Sequence, residues 1–152
     1  MEPSTTLRPG DSVRQFSVLL QNRAGALAAL AKLLRNNAIE VVGISVQDSR
    51  DATVARLVVT DPDSAEQIFI EKGIPHTQSS LVVVALRESG PGLLQVLDTL
   101  MVAETNIDFA YALMPSAEGE ARLAMHVEDH DFAASVLNRA GFKILSQDDL
   151  SR

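Results

Sequence analysis

The sequence contains no cysteine and no tryptophan, and only 4% of its 152 residues are aromatic. Without cysteine there is no disulfide framework, no thiolate nucleophile, no iron–sulfur cluster and no cysteine zinc site. The same absence suits a reducing compartment. Few aromatics leave little surface on which to stack nucleobases. Basic residues are scarce as well. The 13 Lys and Arg stand against 20 Asp and Glu, a net charge of −7, the wrong sign for gripping a phosphate backbone. Long apolar runs are missing too. The longest, such as Leu81–Leu86, has six residues, whereas a membrane helix needs about 20. Residues 1–11 have no apolar core of a signal peptide, and Pro3, Pro9 and Gly10 mark them as a flexible tail. The expectation is a cytoplasmic chain with neither membrane nor nucleic acid as partner.

What the chain does have is aliphatic bulk, 46% hydrophobic residues, and internal repetition. Val59–Ile74 aligns with Val127–Phe142 at an offset of 127 − 59 = 68. That offset matches Asp61 with Asp129, Asp63 with Asp131, Ala65 with Ala133 and Gly73 with Gly141. It also matches Ile39 with Ile107. Further back, an offset of 67 matches Gly25 with Gly92, Leu27 with Leu94 and Leu30 with Leu97. A fixed period of this kind marks a duplicated structural unit. The expected division is a tail at 1–11, a first unit at 12–79 and a second at 80–152.

Each unit reads β-α-β-β-α-β. Val13–Leu20 is β-rich and alternating, the mark of a strand. Leu27, Leu30, Leu33 and Leu34 keep helical spacing until Asn36 and Asn37 stop the helix. Strands follow at Ile39–Gln47 and Ala52–Thr60. Asp61 caps the next helix, Pro62 suits its first position, and Gly73 ends it. Pro75–Ser79 closes the first unit. The second runs Leu81–Leu86, a helix at Pro91–Ala103, strands at Asn106–Met114 and Glu120–Glu128, a helix at Asp131–Arg139 and a strand at Phe142–Leu145. Two helices on one face of a four-stranded antiparallel sheet is the ferredoxin-like α+β plan. Alternation turns Ala55, Leu57, Val59, Leu123, Met125 and Val127 toward the helices. Units of this size bury only about 60% of their chain surface alone, so the two are expected to pair through open sheet faces or edges.

Chemistry-bearing clusters are few. His126-Val127-Glu128-Asp129-His130-Asp131 has the residue types of a metal site, but the repeat sets His130 at the position of Pro62, where a helix starts, and His126 at that of Val58. No metal or cofactor is expected. His76 has no evident partner and reads as surface. Asp61/Asp63 and Asp129/Asp131 sit at helix starts, where they complement the dipole. There is no G-x-S-x-G elbow, Walker loop or dinucleotide fingerprint, so no catalytic residue is assigned. What remains is the turn before the first helix of each unit: Asn22-Arg23-Ala24-Gly25-Ala26-Leu27 and Ser89-Gly90-Pro91-Gly92-Leu93-Leu94. N–H groups at a helix start attract carboxylates, and glycine lets a ligand approach the backbone. A plain strand-to-helix turn explains the same residues equally well.

These turns, with the strand openings Ala38-Ile39 and Asn106-Ile107, resemble the ACT domain, a small-ligand regulatory module. Asn22–Leu27 is similar to its N-R-x-G-x-L form, and Pro91-Gly92-Leu93-Leu94 to its P-G-x-L form. Copy one departs in having Ala24 where the proline usually stands; copy two has Ser89 or Glu88 in place of Asp or Asn. The resemblance covers nearly all of Val13–Leu145 and is to stand-alone tandem ACT proteins. It implies a non-catalytic sensor that binds a free amino acid at an interface between units, as a homodimer, with Asn22–Leu27 and Ser89–Leu94 as ligand turns and Ile39 and Ile107 as neighbouring backbone. The alternative it implies is a subunit acting mainly by binding a metabolic enzyme. Charge separates the copies: residues 1–78 carry 8 − 9 = −1 and residues 79–152 carry 5 − 11 = −6. Copy one, with Arg23, is therefore the expected anion binder.

Overall fold

The computed structural model describes residues 11–21, 24–48, 52–86 and 92–151. Its elements are β1 (Val13–Leu20), α1 (Ala26–Asn36), β2 (Val41–Asp48), β3 (Thr53–Val59), α2 (Pro62–Glu71), β4 (His76–Leu86), α3 (Gly92–Val102), β5 (Ile107–Leu113), β6 (Ala121–Val127), α4 (His130–Arg139), β7 (Lys143–Leu145) and α5 (Gln147–Leu150). The β-α-β-β-α-β order appears twice, as the sequence patterning requires. Asp61 and Asp129 cap α2 and α4 by accepting from Ser64 N and Phe132 N, so the recurring aspartates have a shared local cause.

The two strands expected at Pro75–Ser79 and Leu81–Leu86 are one continuous strand of 11 residues. Its first half pairs with β1, from Val18↔His76 to Val13↔Leu81. Its second half pairs with β6, from Val82↔Met125 to Leu86↔Ala121, and with β7 at Val83–Ala85. No Gly, Pro, Asn or Asp interrupts Thr77–Leu86, so nothing in the sequence forces a break there. All ladders are antiparallel, in the order β2-β3-β1-β4-β6-β5.

Three cores result. One lies between the first half-sheet and α1/α2, with Phe16, Leu34, Leu57 and Phe69. Another lies between the second half-sheet and α3/α4, with Val96, Leu100, Met125 and Leu137. The third lies between the helix-free faces of the two half-sheets, with Val13, Val58, Leu81, Val83, Leu113 and Ala124. The open faces have covered each other, which supplies the burial that a single unit lacks. Alternation is obeyed: Ala55, Leu57 and Val59 join the first core and Val58 the middle one, while Leu123, Met125 and Val127 join the outer core and Ala124 the middle one.

Polar groups are threaded through the middle layer. The Tyr111 hydroxyl donates to Gln15 Oε1 at 2.7 Å, and the Arg56 guanidinium stacks 3.9 Å from the Phe109 ring centroid, a cation–π contact. Burial pushes the Tyr111 hydroxyl well above its ordinary value, with nearby Arg56 pulling it partly back. Helix α5, absent from the sequence reading, brings Gln147 into the seam. Its Oε1 accepts from Arg14 N at 3.0 Å and its Nε2 donates to Val59 O at 3.0 Å.

The repeat offsets need correction at the first helix and second strand. The buried pairs are Leu30/Val96 and Leu34/Leu100, an offset of 96 − 30 = 66. Leu94 and Leu97, matched by sequence to Leu27 and Leu30, are exposed. The β-bulges at Val41/Gly43 and Ile107/Phe109 also differ by 107 − 41 = 66. Ile39 is therefore equivalent to Thr105 and Ile107 to Val41. Short apolar repeats slide easily by one residue; the buried face fixes the register.

Candidate functional site

The start of α1 is built differently from the other helix starts described. Asp61, Asp129 and Ser146 cap α2, α4 and α5 with side-chain oxygens. The N-cap of α1 is Gly25, at φ +86°, with no side chain to offer. The glycine is needed for that left-handed backbone, which an L side chain adopts at a cost of ~1–2 kcal/mol. It is not needed for space, since an added Cβ would meet nothing within 4 Å. Its carbonyl accepts from Ala29 N at 2.9 Å, which sets α1 in place. The turn thus presents backbone to an open side, as carboxylate recognition at a helix N-terminus requires.

The other residues fall as follows. Ala24 and Ala26 flank Gly25 and are exposed and half-buried. Leu27 packs at the margin of the first core. Gly92 opens α3, where an added Cβ would lie 3.3 Å from Leu86 Cβ, so this glycine serves close packing on β4. Leu93 and Leu94 project outward. Asn22, Arg23, Ser89, Gly90 and Pro91 lie outside the described residues. Ile39 and Ile107 are not beside these turns within their own units. Ile39 follows the far end of α1, an 11-residue helix about 16 Å long, and its N–H donates to Leu34 O at 3.0 Å. Ile107 also follows the far end of its helix, α3, where it is Thr105 N that donates, to Leu100 O at 2.9 Å. Ile39 is also buried in the first core, so the strand opens at Val41 instead.

A cleft lies alongside each helix start. In the first unit it has a volume of about 250 Å³ between Leu20, Ala26, Ala29, Gly73, Ile74 and Pro75. In the second it has about 160 Å³ between Ala85, Gly92, Gln95, Gly141, Phe142 and Lys143. These are repeat-related, since 92 − 26 and 95 − 29 give 66, and 141 − 73 gives 68. The first approaches the ~300 Å³ at which small-molecule sites begin. The far wall, Gly73–Pro75 and Gly141–Lys143, was read from sequence only as a helix end and the start of a closing strand. Its signal was the Gly-apolar pair recurring at offset 68.

The histidines are engaged locally. His126 Nδ1 lies 2.8 Å from Asp108 Oδ2 and its ring stacks on Phe109. His130 Nε2 lies 3.2 Å from Leu81 O. His76, expected at the surface, is half-buried against Phe16 and Phe69, with Nδ1 2.9 Å from Ile74 O. Among the described residues no three metal-ligating groups converge.

Two ferredoxin-like units back to back, each with a cleft beside its first helix, form a tandem α+β module. The chain belongs to the ACT domain pair family, whose profile matches residues 11–152. A search of curated proteins returns no match. Among solved structures, the fold is similar to protein BT0572 from Bacteroides thetaiotaomicron, at TM-score 0.84 and 20% identity over 93% of this chain and 96% of that one. It is also similar to the regulatory subunit of aspartate kinase from Thermus thermophilus, at TM-score 0.55 and 15% identity over 86% and 93%. Aspartokinase III from E. coli, in complex with lysine and aspartate, matches at TM-score 0.50 and 18% identity over 84% of this chain and 30% of that one. No helix among the described residues is long and apolar enough to cross a membrane.

Proposed function

We propose that this protein is a cytoplasmic, non-catalytic sensor that binds a free amino acid at an interface between ACT units. The carrying observation is the α1 start, where Gly25 holds a left-handed turn open to approach. A carboxylate at that turn accepts from backbone N–H groups, and Arg23, two positions before Gly25 in sequence, has the charge to suit the same anion. Copy one is the main site: it is near neutral, whereas copy two is acidic. The family itself supports a regulatory role, and the aspartokinase crystallised with lysine and aspartate supports an amino-acid ligand.

Distance supports an interface site. Gly25 and Ile39 flank opposite ends of α1, and α1 and α3 cover opposite faces of the paired sheets. A strand opening serves a ligand turn only when a second chain supplies it.

Isothermal titration calorimetry across the twenty amino acids tests this reading. Heat with one or a few of them at up to millimolar ligand is the expected outcome. Gly25→Val is expected to abolish that heat while keeping the far-UV circular dichroism. Silence with all twenty, together with a stoichiometric enzyme in a pull-down, would establish a protein-directed subunit instead.

A further inference from the structure

The two helix-free faces do not cover each other fully. On the first half-sheet, Gln15, Gly43 and Val58 are buried against Tyr111 and Leu113 of the second. One row along, Ser17 and Ser45 stand directly across from Arg56, and all three are half-buried. In the row beyond, Leu19 and Gln47 flank Val54, and Leu19 is 48% exposed. Alternation sets these rows on one face, since Val18 and Ala55 belong to the first core on the other. The second half-sheet therefore ends in a step above an open floor, with Phe109 as its edge.

Arg56 stands in the corner of that step. The other strand arginines have acceptors: Arg14 bonds Asp63 and Gln78, and Arg122 donates to Met114 O. Among the described residues Arg56 makes no hydrogen bond or ion pair, and its charge rests on the Phe109 ring. A guanidinium over an aromatic face keeps its in-plane N–H donors for other acceptors. None of its nitrogens is sealed from solvent without a partner, so those donors face the opening. The nearby Asp108 is turned to His126, which stacks on the same Phe109. The second unit has no counterpart: at the offset of 68 that aligns β3 with β6, Arg56 corresponds to Ala124, which is fully buried.

We propose that this step is a second ligand site, which takes the carboxylate of a small aliphatic acid. The carboxylate accepts from the Arg56 fork in charge-assisted bonds, and the Ser17 and Ser45 hydroxyls on either side are further donors. The aliphatic body lies on Leu19 and Val54. Two residues along a strand span about 7 Å, roughly the length of a five- or six-carbon acid. The site is on the opposite face of the sheet from α1, so it does not rest on the reading of the Gly25 turn.

Amide NMR of the isotope-labelled full chain, titrated with isocaproate, tests this. The Ser17, Ser45 and Arg56 signals are expected to shift to saturation in the millimolar range. Isocaproamide, the uncharged analogue, is expected to bind at least about tenfold more weakly. Arg56→Gln is expected to abolish the shifts with unchanged circular dichroism. Leu19→Ser, at an exposed site, is expected to weaken isocaproate about fivefold and leave acetate unchanged, which keeps the test open should Arg56→Gln unfold the chain. Gly25→Val is expected to leave every shift in place. The absence of saturating shifts, equal affinity for the amide, undiminished binding in a folded Arg56→Gln, tighter binding of inorganic phosphate, or loss of the shifts in Gly25→Val would each overturn the proposal. Calorimetric heat lost in Gly25→Val speaks only for the α1 turn, so the two readings fail separately.

Discussion

Gly25, Tyr111 and Ala38 carry different burdens at the residue scale. Gly25 is glycine for its dihedral, and its identity was visible in sequence because few other residues open a helix that way. Tyr111 was unreadable. One tyrosine in an alternating strand gives no hint that its hydroxyl finds Gln15, 96 residues away. Tyr111→Phe leaves Gln15 Oε1 without that donor and is expected to cost about 1–2 kcal/mol, measured by urea denaturation. The sign with pH follows from the raised value. The buried hydroxyl stays protonated in the folded chain, so its stabilisation is whole below the ordinary tyrosine value near 10 and fades as pH rises beyond it. The Phe variant removes that alkaline loss. Ala38 and Glu104 both adopt left-handed φ, 59° and 54°, because each helix ends with the same backbone closure onto Leu34 or Leu100. Neither residue type announces that conformation, which is why the strands after them seemed to open early, by two residues at Ile39 and by one at Asn106.

At the scale of elements, the periodic ones were legible. The Leu spacing in α1, the Asp-Pro start of α2 and the alternation of β3 and β6 all place residues where the structure has them. Tertiary pairing decided what local pattern could not. Nothing in His76–Leu86 says whether it is one strand or two, since that depends on β1 and β6 taking its two halves. Helix α5 was missed because four residues hold no periodicity, although Ser146 and Asp149 form a capping box there. Its role is concentrated in Gln147, fully buried. Gln147→Leu strands Arg14 N–H and Val59 C=O together and is expected to cost about 2–3 kcal/mol, seen as a lower urea midpoint. The helix-start turns were legible as motifs. Their paired clefts were not, because the walls come from the far end of the unit.

For the whole molecule, the middle core decides how the chain unfolds. Two units that share β4 and bury their open faces on each other cannot melt one at a time without exposing that core. A single cooperative transition is expected. Tyr111 is the only tyrosine in the chain and sits between the sheets, so it reports on the seam. Its near-ultraviolet signal is expected to be lost at the same denaturant concentration as the far-ultraviolet signal of the helices. Separate midpoints would show that the units hold independently.

The continuous β4 also limits how a signal can travel. Ser80, where the two repeats were expected to divide, is a mid-strand residue laddered to Arg14, so the units have no hinge between them. A module of this kind cannot open and close like a jaw. A ligand bound as proposed at one helix start would act on the other unit as a load acts on a common beam, by twisting or sliding a strand that both sheets hold, and the output expected is a small change in the pitch of the outer faces rather than a swing of one half against the other.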